Sequence, residues 1–107
     1  MRVVLRLALL IFLLPIVAAC VAPINFQEGI ASFRAQDYRQ AFIRLKPEAE
    51  KGQPDAAYAV GYMYYYGQGV VEDRKQAWVW INRAASAGQP DAREAVMILK
   101  DGDFTKH

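Results

Sequence analysis

From residue 38 onward, apolar side chains recur at intervals of three and four, the repeat of an amphipathic helix. Ala56, Val60, Met63 and Tyr64 fall on one side of one helical wheel, and Ala77, Trp80, Ile81, Ala84 and Gly88 on one side of another. Short polar segments with glycine or proline interrupt these stripes. The pattern predicts five helices, at about 25–36, 38–51, 54–66, 74–87 and 90–100, with the stripes of the third and fourth facing each other. Pro47 falls inside the second helix, removes one backbone hydrogen bond and is expected to bend it.

The chain also repeats itself at an offset of 36 residues. Gly52-Gln53-Pro54-Asp55-Ala56 returns as Gly88-Gln89-Pro90-Asp91-Ala92. Asp37, Gln40, Ala41, Ala49, Ala59 and Val60 return as Asp73, Gln76, Ala77, Ala85, Ala95 and Val96. A period in this range marks a repeat architecture. The repeated residues have the chemistry of helix boundaries. Asp37 and Asp73, each followed three positions later by Gln, fit a capping box. Gly52 and Gly88 suit a helix stop, Pro54 and Pro90 a first helical turn, and Asp55 and Asp91 the positive end of the dipole.

Residues 56–93 resemble the Sel1-like repeat, a relative of the tetratricopeptide repeat. The residues that carry the likeness are Ala56, Val60 in place of the usual Leu, Gly61, Tyr64, Gly67-Gln68-Gly69-Val70, Asp73, Ala77, Trp80, Arg83, Ala84, Ala85 and Gly88. The resemblance implies an all-α fold, a short right-handed solenoid of antiparallel helix pairs, with one full repeat at about 53–88. Residues 26–51 look like a shortened, loop-deleted pair. Residues 90–107 look like a cap, because Met97, Asp103 and Thr105 stand where the full repeat has Gly61, Gly67 and Gly69. The helical domain is expected to span 26–107. Gly61, Ala84 and Ala85 permit close helix approach, and Trp80 is expected to fill the core beside them.

Upstream, Met1–Arg6 carries two arginines and no acid, and residues 7–24 carry no charge, which is the layout of an export signal. An uncleaved membrane helix, anchored in an inner membrane, is the alternative reading, since the uncharged run sits at the lower limit for spanning. Val17-Ala18-Ala19-Cys20 resembles the lipobox of bacterial lipoproteins. That resemblance implies a signal peptide over 1–19, lipid on the Cys20 thiol, and a short tether over 20–25. Val21, rather than aspartate, after the cysteine implies the periplasmic face of the outer membrane. Without Arg2 and Arg6, 11 basic residues balance 11 acidic ones, so no basic face points to nucleic acid. With one cysteine there is no internal disulfide.

The inventory for catalysis is poor. The only histidine is the terminal His107, and with one cysteine there is no His/Cys metal set, so no catalytic, metal or cofactor residue is assigned. Glu48/Glu50, Glu72/Asp73 and Asp101/Asp103 are carboxylate pairs expected at helix ends or on solvated faces. Gly67-Gln68-Gly69 lacks the Gly-Lys-Ser/Thr that completes a phosphate loop.

What stands out is a run of tyrosines. Tyr58, Tyr62 and Tyr65 share one face of the third helix, with Tyr66 beside them, and only Tyr64 is expected from the repeat. These rings either pack on the first and fifth helices or line a concave face that binds a partner. Trp78 lies far from Trp80 on the wheel and is expected outside the core. The function expected is an envelope lipoprotein that binds protein or peptide, as adaptor or scaffold. The alternative is a cell-wall glycan or small ligand held on Tyr58, Tyr62 and Tyr65. An open solenoid end also leaves room for self-association.

Overall fold

The computed structural model describes residues 25–101, which form five helices and no strand. These are α1 (25–34), α2 (Tyr38–Glu50), α3 (Pro54–Tyr66), α4 (Arg74–Ser86) and α5 (Pro90–Asp101). The signal segment, Cys20, most of the tether, and residues 102–107 with His107 lie outside the described residues. Asn25, assigned above to the tether, belongs to α1. None of the described helices is long and apolar enough to cross a membrane.

Successive helices pack as neighbours, α2 on α3, α3 on α4 and α4 on α5. The core is a continuous strip of Ala41, Leu45, Ala56, Val60, Met63, Ala77, Trp80, Ile81, Ala84 and Ala92. The small residues let the rods approach closely. A Cβ on Gly61 would sit 2.7 Å from Ile81 Cγ1 and 3.1 Å from its backbone nitrogen. A Cβ on Gly29 would meet Leu45 Cδ2 at 2.6 Å. Gly29 and Leu45 therefore repeat the contact of Gly61 and Ile81 with four fewer residues between them, which is the shortened pair expected from the sequence.

Two stripe members sit elsewhere than expected. Tyr64 packs edge-on against Phe42 of α2, with centroids 5.5 Å apart, and Gly88 lies exposed in the turn. Trp80 is in the core, its ring flanked by Lys46 Nζ at 5.5 Å and Arg83 Cζ at 4.7 Å. Both charged groups lie over the indole within cation–π range. Trp78 is half-buried, and Ala85 packs partly buried against the core.

The helix boundaries differ instructively from the capping-box expectation. Asp73 accepts from the Gln76 N–H at 3.0 Å, so it caps α4. Its own N–H donates to the Tyr64 carbonyl at 2.9 Å, which leaves Gln76 nothing to reach back to. Asp37 makes no side-chain cap bond at all. Its N–H is tied to Ser32 O at 2.9 Å behind a left-handed Gln36, with φ of 63°, so the chain is already turned without a side-chain cap. The capping residues of the GQPD turns are the glutamines. Gln53 Oε1 accepts from Ala56 N at 3.0 Å, and Gln89 Oε1 from Ala92 N at 2.6 Å. Gly52 and Gly88, with φ of 98° and 95°, stop the preceding helices as expected.

α2 continues through Pro47, an exposed residue on its outer face. The carbonyl that loses its donor there belongs to Ile43, also exposed, so water can replace the bond. Glu48 is not on a solvated face. It is buried, accepts from Asn25 Nδ2 at 3.2 Å and lies 3.5 Å from Lys51 Nζ. Together with the Arg44–Glu28 ion pair, this fastens α1 along α2.

Candidate functional site

α1, α3 and α5 are the first helices of successive pairs. The 36-residue offset places Tyr58, Tyr62 and Tyr65 of α3 in register with Glu94, Ile98 and Asp101 of α5. The shortened pair puts Phe26, Ile30 and Phe33 of α1 in the same series. Between α3 and α5 this leaves a groove of about 270 Å³. Tyr58, Tyr62, Tyr65 and Tyr66 form one wall, Ala95, Ile98 and Leu99 the other, and Ile81 of α4 contributes from below.

The four tyrosines assigned from sequence are thus brought together, and the choice between packing and binding does not divide them cleanly. Tyr62 does both. On one side it meets Phe33 of α1 edge-on at 5.3 Å, and on the other it faces the groove. Tyr66 is 57% exposed and touches Tyr62 and Tyr65, each at 4.8 Å. Arg74 lies 4.0 Å over the Tyr65 ring and is itself held by Glu72 at 3.0 Å. Such mutual contacts hold the aromatic wall in shape without a ligand.

The far wall was missed from sequence. Ile98, 64% exposed, and its neighbours come from the helix expected only to cap the array. The signal was present, because Ile98 is the 36-residue equivalent of Tyr62. At the head of the groove, Gln89 Nε2 donates to Asp55 Oδ1 at 3.3 Å and Asp91 Oδ2 at 3.4 Å, joining the starts of α3 and α5. The Tyr58 hydroxyl has its pKa raised above the ordinary 10.0 by burial, then by the charge of Asp91, with Tyr62, Tyr66 and Glu94 adding to it.

The remaining repeat positions are structural. Ala56, Ala77 and Ala84 are fully buried, and Asp73 caps α4. Gly67 and Gly69 shape the loop between α3 and α4. Gly69 combines a φ of 74° with an approach to α2 so close that a Cβ would sit 2.5 Å from the Tyr38 carbonyl. No group of three or more His, Cys, Asp or Glu among the described residues could hold a metal.

Residues 54–89 match the family model of the Sel1 repeat. That segment is similar to a Sel1 repeat. The matched segment covers α3, the loop, α4 and the turn into α5, the span that holds the Gly61–Ile81 contact and the tyrosine wall. Sel1 repeats generally mediate protein–protein interaction. No curated protein matches the chain, and no solved structure matches it.

Proposed function

We propose that this protein is an exported lipoprotein of the Sel1-like repeat type, anchored through Cys20, that docks a protein or peptide in the α3/α5 groove. The observation that carries the docking role is the groove itself. A preformed aromatic wall faces an exposed Ile98 across about 270 Å³. Tyrosines combine apolar area with a hydrogen-bonding tip, which suits a protein partner. The glycan reading is less well supported. Tyr62 and Tyr66 are tilted against each other at 53°, and Tyr65 and Tyr66 at 73°, so the wall offers no flat stacking platform for a sugar ring.

The lipid anchor is supported by the sequence of residues 17–20 and the charge-free segment before them. From Cys20 to the first residue of α1 an extended chain reaches about 17 Å, which would hold the groove near the bilayer. One envelope experiment tests both parts. A photo-crosslinker at Tyr66 or at Ile98 should trap the same partner, and one at Ile43, an exposed apolar residue outside the groove, should not. Cys20→Ala should release the protein from the membrane fraction. Identical products from all three positions would overturn the docking role, and unchanged fractionation of Cys20→Ala would overturn the anchor.

A further inference from the structure

The α3/α5 groove is lined by aromatic and aliphatic side chains with no basic residue among them. Three acidic groups gather at one end. Asp91 and Glu94 precede Ala95 and Ile98 by the spacings that keep them on the groove side of α5. Asp55 joins them through the Gln89 amide. The effect of both α5 carboxylates on the Tyr58 phenol places their charge beside the tyrosine wall.

Among the described residues, none of these three acids has a cation within ion-pair distance; the four ion pairs all involve other carboxylates. Asp55 and Asp91 sit in first helical turns and are compensated by the backbone dipole. Glu94 is further along, exposed, and has no such compensation.

The aromatic side shows the same gap. Three rings already carry cations: Trp80 has Lys46 and Arg83, Phe42 has Lys46 at 5.9 Å, and in the groove wall itself Tyr65 has Arg74. Tyr58, Tyr62 and Tyr66, all in the groove, carry none from the described residues.

From this complementarity we infer that the groove takes a basic peptide segment. An arginine or lysine would sit between Glu94 and the tyrosine rings, and an apolar neighbour against Ile98. The inference rests on the docking role proposed above and names the chemistry of the partner. A guanidinium there would gain a charge-assisted contact and a ring face at once.

The test uses the full chain in detergent and three fluorescein-labelled synthetic peptides that alternate leucine with arginine, with citrulline or with glutamate, read by anisotropy. The arginine peptide should bind about tenfold or more tightly than its neutral citrulline isostere. Glu94→Lys, an exposed change with little reason to unfold the domain, should remove that preference and make the glutamate peptide the tighter ligand. Equal affinity for arginine and citrulline, or no response to Glu94→Lys, overturns the inference. If all three peptides bind alike and Ile98→Asp abolishes them all, the groove docks proteins through apolar contact alone. The docking role then survives while the basic partner does not. If none binds, and sedimentation shows a dimer that Glu94→Lys dissociates, a second copy is the occupant and the inference falls.

Discussion

Residues 52–56 and 88–92 contain the same five amino acids and start helices of 13 and 12 residues, yet the two helices have different surroundings. α3 is enclosed by α2 and α4, with Gly61 pressed against Ile81. On α5 the equivalent residue is Met97, 72% exposed. The turns themselves also diverge. Gln53 caps α3 and makes no other side-chain bond among the described residues, whereas the buried Gln89 caps α5 and reaches both Asp55 and Asp91. A shared joint therefore sets where a helix begins. What covers the helix is decided one to two turns later, by whether a glycine admits a neighbour.

The comparison breaks most readily at position 61. Gly61→Leu should overpack the α3/α4 contact and lower stability by about 3 kcal/mol, whereas Met97→Ala should change it by no more than about 0.5 kcal/mol. Denaturant unfolding of the two variants measures the contrast, and a Gly61→Leu protein that unfolds like the parent would remove the close approach from the account.

Next comes the pair of glutamines. Gln89→Ala loses a buried cap and leaves two carboxylates without their amide, for an expected cost of about 2 kcal/mol. Gln53→Ala loses only a cap, for about 1 kcal/mol. Equal losses in thermal melts would mean that the bonds to Asp55 and Asp91 contribute little. The aspartates sharpen the point from the other side. Asp73→Ala should cost about 1 kcal/mol, and Asp37→Ala close to nothing, because only Asp73 accepts a cap bond.

The smallest effect is electrostatic. The Tyr58 phenol holds its proton more tightly in the folded chain than in the unfolded one. Its contribution is complete below pH 10.0 and declines as the pH rises beyond that value toward the folded pKa. Tyr58→Phe should therefore flatten the alkaline loss of stability. Phenolate absorbance of the parent should show one tyrosine ionising late, and superimposable pH profiles for parent and variant would refute the linkage.

Much of this arrangement is legible in the sequence. The helices, the antiparallel pairing and the shared face of Tyr58, Tyr62 and Tyr65 follow from periodicity and short turns, which depend on local spacing, while the shortened first pair is implied by the resemblance to the Sel1-like repeat. Capping was read less well. A capping box requires a free N–H at the cap residue, and Asp37 and Asp73 had each committed theirs to the preceding helix, a contact outside the four-residue window. Glutamine is an uncommon cap, so the sequence carries little sign that residues 53 and 89 cap α3 and α5. The groove was only half visible for a related reason. One wall is a conspicuous run of rings, while the other is a single isoleucine and its neighbours, meaningful only once α5 lies beside α3.

The Gln89 amide also joins α3 and α5 at one end. It ties the first turns of two rods, and a rod pinned at its end turns a small angular change into a larger displacement further along. Ile98 lies about 12 Å beyond that pin at 1.5 Å per residue, so a tilt of about 10° there would move it by about 2 Å. The aperture between Ile98 and the tyrosines is thus sensitive both to the packing of α5 on α4 and to a bond made outside the contact surface.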